Sequence, residues 1–224
     1  MYALLGIDLG TSGVKVALFA ADDGRTLSSA FIEYPLMHPQ IGWAEQNPED
    51  WWQATVTAIR TCMVGGVRNN VQPEDVRGIG LSGQMHGVVL LDEENRVLRP
   101  AIIWADQRSE AQCRWITERV GAARLLELVS NPALPGFSAP KLLWIRDNEP
   151  EIFARARKML LPKDYIRYRL TGKLAIEISD AAGTCLLDVK HGRWSREVLE
   201  ALEIDPELLP PVIAAAQAAG TITA

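Results

Sequence analysis

The chain has 224 residues, of which 48% are hydrophobic and 23% charged, and its formal net charge is −5. This composition is typical of a soluble globular protein, and the acidic balance argues against a nucleic-acid or membrane-surface binder. No apolar run approaches the roughly 18 residues of a membrane-spanning helix. Three widely spaced cysteines indicate a reducing compartment, which we take to be the cytoplasm. The three histidines have no metal-ligand spacing with the cysteines or with each other.

The first predicted element is a hairpin between Leu4 and Phe19. Two apolar, strand-like runs surround the loop Gly10–Gly13, and one carboxylate, Asp8, precedes it. The strands are too close for a helical crossover and must be antiparallel. The loop offers backbone N–H groups and two hydroxyls to a phosphate, and Asp8 is suited to a hydrated metal. An ordinary hairpin whose glycines only make the turn explains these residues equally well.

A turn and a third strand, Thr26–Tyr34, extend the hairpin into an antiparallel meander. Asn47 and Pro48 then predict a helix start, because Asn caps and Pro is favoured in the first turn. We expect this helix to run to about Met63 and to end at Gly65–Gly66. Its predicted apolar face carries Trp52, Val56, Ile59 and Met63.

Val76–Ser82 predicts another strand, leading to the polar cluster Gly83–Gly87. The segment Gly78–Gly83 matches the dinucleotide pattern GxGxxG. That motif requires a preceding strand and a following helix. Here the glycines lie within a strand and a further β-run follows, so we reject a dinucleotide site.

The second half reads as mostly helical. An apolar run from Ala101 ends in Trp104, Asp106 and Arg108, and a helical stretch then continues to about Val120. Ser138 is predicted to cap a helix that continues to about Asp147. Further helices are expected from Lys163 to Leu170, after Trp194–Ser195 and after Asp205–Pro206. The basic stretch Arg155–Arg169 is interpreted as a solvated face. The order of elements favours an α/β domain with a mixed β-sheet flanked by helices.

Several segments taken together resemble the FGGY carbohydrate kinases, and within that family the xylulokinases. They are Asp8 with Gly10–Gly13, Gly42–Trp52, Gly83–Gly87, Trp104–Arg108, Leu134–Trp144, Leu161–Tyr165 and Ser179–Thr184. Each is weak alone, but their order and spacing are specific, and they span nearly the whole chain. The resemblance implies an actin-like, ribonuclease-H-like lobe. It also implies transfer of the ATP γ-phosphate to a sugar hydroxyl in a cleft between two lobes.

For the nucleotide side, the resemblance implies that Asp8 helps to hold Mg²⁺ and positions phosphate. Gly10, Thr11 and Ser12 would donate hydrogen bonds to phosphate oxygens. This fits phosphoryl transfer, which depends on charge neutralisation and positioning. Lys15 either contacts phosphate or points to solvent.

For the sugar side, the resemblance places Met85 and His86 against the substrate and points to D-xylulose. Met85 is either a sugar contact or core filler, and Trp104 is either a sugar wall or core. Asp106 either binds a sugar hydroxyl or pairs with Arg108. Gly136 lines the sugar through its backbone or simply makes a turn. The substrates are then a small sugar and ATP, with no nucleic acid or membrane partner, and a homodimer is left open.

One departure from the family concerns the general base. Family members continue into a Gly-Gly-Gly-Asp segment whose Asp activates the sugar hydroxyl, and then into a second lobe. Gly220–Ala224 contains no carboxylate, and Asp180 and Asp188 match no base motif. We therefore expect residues 1–224 to be an N-terminal, sugar-side lobe truncated before the catalytic-base segment, with the second lobe absent, and to be inactive alone.

Two alternatives to a D-xylulose kinase remain. The first is a kinase for another sugar, a polyol or gluconate, because one pocket contact can change specificity. The second is a non-catalytic actin-like nucleotide-binding module, which would share the hairpin loop but would not need Met85, His86 and Trp104.

Overall fold

The structure, a computed structural model, describes residues 1–223, which form two compact units. The first unit comprises Met1–Leu36 and Pro48–Gln84. The second comprises Met37–Asn47 and the chain from Met85 onward. Within residues 1–223, no helix is both long and apolar enough to cross a bilayer.

The strands, in chain order, are β1 (Ala3–Leu9), β2 (Gly13–Ala20), β3 (Thr26–Glu33), β4 (Glu45–Gln46), β5 (Val76–Gly83), β6 (Val89–Leu91), β7 (Ala101–Ile102), β8 (Lys158–Leu160), β9 (Ile176–Glu177), β10 (Leu187–Asp188), β11 (Arg193–Trp194) and β12 (Val212–Ile213). The α-helices are α1 (Pro48–Arg68), α2 (Glu110–Val120), α3 (Ala122–Val129), α4 (Ser138–Asn148), α5 (Pro150–Arg155), α6 (Pro162–Thr171), α7 (Ile178–Ala182) and α8 (Arg196–Leu202). Short 3₁₀ turns lie at Pro73–Asp75 and Pro206–Leu208.

The first unit is built on a four-stranded mixed sheet. Its order is β3-β2-β1-β5, with β1 antiparallel to β2 and parallel to β5. Alternate residues of β1 and β2, such as Ile7 and Val16, are buried, whereas Asp8 and Lys15 on the opposite face are exposed. The predicted meander of β1, β2 and β3 is confirmed. The glycines of the GxGxxG match lie in β5, and the next element is β6 and not the helix that a dinucleotide motif requires.

Helix α1 packs on β2 and β3. The prediction that Gly65–Gly66 ends it was wrong, since it continues to Arg68. A Cβ on Gly65 would lie 2.1 Å from Ser28 Oγ, and one on Gly66 would lie 2.7 Å from Leu18 Cδ2. The two glycines therefore allow the helix to approach the sheet. The buried face was also misassigned: the predicted residues are only half-buried, and the fully buried ones include Trp51, Ala54, Thr55, Ala58 and Cys62.

The second unit has a core of apolar side chains from β6, β7, α2, α3, α4 and α8. Its buried members include Leu90, Ile102, Ile116, Leu125, Leu142 and Leu199. Burial of each such side chain contributes about 2 kcal/mol relative to leaving it exposed. Short antiparallel pairings, β4 with β7 and β6 with β8, tie distant segments to this core.

Three other predictions in the second unit need correction. The basic stretch is not simply a solvated face, because Lys163 and Arg167 are buried and ion-paired. Helix α4 begins at Ser138 itself, whose hydroxyl donates to the carbonyl of His86 instead of capping the helix. Asp205–Pro206 begins only a 3₁₀ turn, because Pro210 and Pro211 follow it and cannot continue a helix.

Candidate functional site

The predicted site residues fall into two sets, one in each unit. Asp8, Gly10, Thr11, Ser12 and Lys15 belong to the first unit. The second unit contains the other set, which is Met85, His86, Trp104 and Asp106.

In the first unit, three polar side chains form a row across the sheet. Asp8 on β1 lies opposite Lys15 on β2 and opposite Ser82 on β5. All three are exposed, on the face that does not carry the buried alternation of β1 and β2. A cavity of about 540 Å³ lies on this face, and its lining includes Asp8, Lys15 and Ser82 together with Gly6 and Gly80. Ser82 was not predicted, although its place at the end of a glycine-rich strand was visible in the sequence.

The loop Gly10–Gly13 is fixed by neighbouring backbone. Gly10 N donates to Gly13 O at 3.0 Å, and Tyr34 N donates to Ser12 O at 3.4 Å. The Tyr34 hydroxyl also donates to Gly10 O. A Cβ on Gly13 would lie 2.6 Å from the carbonyl oxygen of Ile32, so glycine is needed here for close approach to β3. The loop is therefore held in one conformation before any ligand binds.

Tyr34 was not predicted as a site residue, and its pKa is affected by the charge of Asp8. Burial raises the pKa of Tyr34 well above its ordinary value, and the nearby negative charge of Asp8 raises it further. The phenol is thus protonated at neutral pH and remains a donor to the loop. Its distance of 24 residues from Gly10 explains why no local pattern revealed it.

A metal ion at this face would be coordinated by Asp8 together with water and the phosphates of a bound nucleotide. Within residues 1–223, no three His, Cys, Asp or Glu side chains are grouped so as to hold a metal by themselves. Mg²⁺ is commonly held by one or two carboxylates plus water and substrate phosphates. One exposed carboxylate beside a loop rich in backbone donors fits that mode of binding.

In the second unit, Met85–Gly87 forms a tight turn. His86 has a left-handed backbone with φ of 69°, a conformation that costs a non-glycine residue about 1–2 kcal/mol. Such strain is concentrated at functional sites. Met85 is 51% exposed, so it is not core filler within the described chain.

Two contacts hold the His86 ring. Its Nδ1 lies 2.9 Å from the carbonyl oxygen of Gly183, and the Phe137 ring meets it edge-on with centroids 4.8 Å apart. Burial lowers the pKa of His86 below its ordinary value, and the Gly183 carbonyl only partly opposes this. The imidazole is therefore neutral at pH 7.

Trp104 and Asp106 differ in exposure. Trp104 is 47% exposed, whereas Asp106 is fully buried. The Asp106 carboxylate accepts hydrogen bonds from Ala44 N at 2.6 Å and from Arg108 Nη2 at 2.7 Å. These contacts favour the predicted alternative in which Asp106 pairs with Arg108. The exposure of Trp104 argues against a core role.

Arg108 is the centre of a network that sequence reasoning missed. Its guanidinium lies 3.6 Å from the ring centroid of Trp43 and 4.8 Å from that of Trp144. It also pairs with Glu45 at 2.7 Å. A buried cation between two aromatic faces and two carboxylates fixes the segment that presents Trp104.

Lys141 supports the loop before α4. Its side chain is completely buried, and its Nζ donates to the carbonyls of Gly136 and Phe137. Burial lowers its pKa to about 7. A Cβ on Gly136 would lie 3.4 Å from the Trp104 carbonyl oxygen, so this loop packs closely behind the exposed tryptophan.

The sequence of the chain matches a known family of proteins. The model of the "FGGY family of carbohydrate kinases, N-terminal domain" matches residues 3–224. A xylulose kinase of Bacillus subtilis strain 168 is 42% identical over 99% of the chain, which covers 44% of that protein.

Solved structures give the same picture. A Brucella ovis protein named a "xyloylose kinase" is 42% identical, with a TM-score of 0.91, over 100% of this chain and 45% of its own. A gluconate kinase from Lactobacillus acidophilus is 29% identical, with a TM-score of 0.89, over 99% of this chain and 44% of its own. The predicted actin-like α/β class is confirmed. The chain spans less than half the length of these proteins.

Proposed function

This chain belongs to the FGGY family of carbohydrate kinases, as its N-terminal domain, and from that premise we propose that it is part of an ATP-dependent ketose kinase. The reaction would convert D-xylulose to D-xylulose 5-phosphate in pentose catabolism. The observation that carries the proposal is the 42% identity with a xylulose kinase over 99% of the chain. The matched residues 3–224 span the positions of both sets of site residues.

The first-unit residues are assigned to ATP. Backbone N–H groups of Thr11 and Ser12 would donate to phosphate oxygens, and the Lys15 ammonium would add a positive charge. The Gly10 N–H is already used within the loop, where it donates to Gly13 O, so Gly10 would shape the loop instead of donating to phosphate. Asp8 would hold Mg²⁺, whose chemistry is to neutralise phosphate charge. The fixed loop supports this assignment, because a site that is already ordered loses little entropy on binding.

The second-unit residues are assigned to the sugar. Met85 and Trp104 present exposed apolar surfaces suited to the C–H face of a sugar, and His86 presents a ring nitrogen to a hydroxyl. Asp106 is assigned an indirect role: it fixes Arg108 and thereby the segment carrying Trp104, because its oxygens already accept hydrogen bonds within the protein.

The general base is proposed to lie outside residues 1–224. A base must come within hydrogen-bond reach of the proton that it removes. Asp180 is paired with Lys163 and Asp188 with His191, so neither is a good candidate. The less than half coverage of the relatives supports a longer active protein.

A direct assay tests the whole proposal. ADP release with D-xylulose is measured for residues 1–224 and for a protein extended to the length of the relatives. We expect turnover only from the longer protein. Comparable turnover by residues 1–224 would show that the base is already present, and no turnover by the longer protein would reject a xylulose kinase.

Gluconate is the second candidate substrate, because the gluconate kinase structure matches 99% of this chain. A panel of D-xylulose, other ketoses, polyols and gluconate, compared by kcat/KM, distinguishes the substrates. A non-catalytic nucleotide-binding module would bind nucleotide in calorimetry and bind no sugar.

A cytoplasmic location is proposed because the three cysteines form no disulfide. Cys62, Cys113 and Cys185 are all free and buried. A homodimer is the assembly to test by light scattering on the longer protein.

A further inference from the structure

The carbonyl group of Gly183 lies 2.9 Å from Nδ1 of His86. A carbonyl oxygen can only accept a hydrogen bond, so Nδ1 must carry the proton in that contact. We propose that Gly183 is a positioning residue that holds His86 as the Nδ1-protonated tautomer, so that Nε2 accepts a hydrogen bond from a substrate hydroxyl. The substrate part of this inference rests on the function proposed above.

Gly183 is a glycine for reasons of space. Its φ is −76°, which any L-residue can adopt, so its backbone does not require glycine. A Cβ at this position would instead lie 2.4 Å from His86 Cε1 and 2.5 Å from Nδ1. Any larger residue would displace the imidazole. Glycine therefore brings the carbonyl close to the ring and leaves the ring in place.

Two groups before and within α4 restrain His86 from its other sides. Phe137 contacts the ring edge-on, with an interplanar angle of 89°. The Ser138 hydroxyl donates to the His86 carbonyl at 3.1 Å, which holds the left-handed turn. Within residues 1–223, Nε2 makes no hydrogen bond, so it remains available as an acceptor.

Helix α7 and a buried ion cluster position Gly183. Glu177 caps the helix by accepting from Ser179 N at 2.9 Å and from Asp180 N at 2.8 Å. Lys163 Nζ, from α6, lies 2.8 Å from Glu177 Oε1 and 2.9 Å from Asp180 Oδ2. Gly183 N in turn donates to Asp180 O at 3.0 Å. Lys163 thus anchors the N-terminal cap and the third residue of the short helix that ends before Gly183.

The charged groups facing His86 come from two helices. Burial is the main factor that lowers the pKa of His86; Lys141 on α4 lowers it further, and Asp180 on α7 raises it. At neutral pH the ring is uncharged and Nε2 has a lone pair. Protonation at lower pH would convert Nε2 from an acceptor to a donor. Sugar affinity should therefore be constant above the pKa of His86 and fall below it.

The decisive measurement is nitrogen NMR of the longer protein labelled with ¹⁵N-histidine. The His86 signals are assigned by their absence in His86→Gln. At pH 7.5, without sugar, we expect the Nδ1-protonated tautomer as the dominant form. Dominance of the Nε2-protonated tautomer, or of the imidazolium, would overturn the proposal. Because this measurement needs no substrate, it stands even if D-xylulose proves not to be the substrate.

Kinetics tests the substrate part. Gly183→Ala should raise KM for D-xylulose about tenfold, the effect of losing roughly 1.4 kcal/mol of hydrogen bonding, with a smaller change in kcat. Gly78→Ala is the matched control, because its Cβ would meet only Leu4 Cδ2, at 3.4 Å. An unchanged KM in a folded Gly183→Ala protein would contradict the positioning role. If that variant fails to fold, the tautomer in the wild-type protein remains the test.

A second pair of variants separates the two ring nitrogens. His86→Gln can place an amide oxygen near the position of Nε2, whereas His86→Asn replaces only the Nδ1 side. We expect the smaller increase in KM for His86→Gln. Equal increases would show that no acceptor is needed at the Nε2 position.

Discussion

The hairpin loop of the first unit and the His86 turn of the second are held by different means. The loop Gly10–Gly13 is fixed by its own hairpin and by Tyr34 at the end of the next strand. The His86 turn is fixed by Ser138 and Gly183, which are 52 and 97 residues away. A phosphate loop can be built from adjacent strands, because backbone N–H groups supply its chemistry. A specific tautomer requires a partner aimed at one ring atom, and here the partner comes from a remote helix.

The difference predicts that substitutions in the hairpin affect catalysis or local folding. Substitutions around α6 and α7 should instead affect sugar recognition from a distance.

The largest effect is expected at Asp8. In the longer protein, Asp8→Asn should lower kcat by about 10²–10³-fold, the usual cost of removing one preorganised electrostatic group. KM for the sugar should change little.

Asp22→Asn is the control for this substitution, because Asp22 is an exposed carboxylate in the turn after β2. It should leave both parameters unchanged. A normal kcat in Asp8→Asn would remove Asp8 from the metal and phosphate role and leave the hairpin as a structural element.

The next largest effect is expected at Lys163. Lys163→Met leaves the buried Asp180 and the partly buried Glu177 without their cation, which costs about 3 kcal/mol of folding free energy. If the cluster also positions Gly183, KM for the sugar should rise while KM for ATP stays constant. Steady-state kinetics and urea midpoints measure the two effects, and Lys173→Met, at an exposed lysine, is the control. A change in stability without any change in sugar KM would limit the cluster to a structural role.

The stability losses of two glycine substitutions, Gly13→Ala and Gly183→Ala, compare the hairpin loop with the support of the His86 turn. The Cβ of Gly13→Ala would meet the backbone of β3 at 2.6 Å, and that backbone is fixed by the pairing of Val14 with Ile32. We expect a loss of about 2 kcal/mol in stability. The Cβ of Gly183→Ala would meet mainly a side chain that can rotate, so its stability loss should be below about 1 kcal/mol. Urea unfolding midpoints of both variants decide the order, and the reverse order would contradict this distinction.

The same contrast explains what could be predicted from the sequence. The hairpin and the meander depend on alternation and turn residues within about 30 positions, and both were predicted. The mixed sheet was predicted from the order of elements, although its parallel pairing joins β1 to the distant β5. Helix α1 was ended too early because Gly65–Gly66 reads as a helix stop, whereas both glycines serve packing against Leu18 and Ser28. No local pattern can show which strand a helix will approach.

The second unit was less predictable for the same reason. Lys163 was assigned to a solvated face because the stretch around it is basic, and its partners lie 14 and 17 residues further along. Arg108 was seen only as a partner for Asp106, since Trp43 and Trp144 are distant in sequence. Gly183 belonged to a segment recognised only through family resemblance, and nothing in its neighbourhood indicated contact with His86.

The smallest predicted effect concerns acid stability and tests whether Glu177 holds the remote support of the turn. Burial raises the pKa of Glu177, but hydrogen bonds from Lys163, Ser179 and the Asp180 N–H outweigh it and lower the pKa from 4.5 to about 2. A carboxylate with a lowered folded-state pKa stabilises the protein above its unfolded pKa. That contribution is lost as the pH falls from about 4.5 towards 2.

Glu177→Gln should therefore be less stable than the wild type at pH 7, and the difference should shrink as the pH falls through this window. Thermal midpoints at intervals between pH 7 and 2.5 measure it. A difference that is constant with pH would show that the Glu177 charge does not stabilise α7, and the positioning of Gly183 would then depend on Lys163 and Asp180 alone.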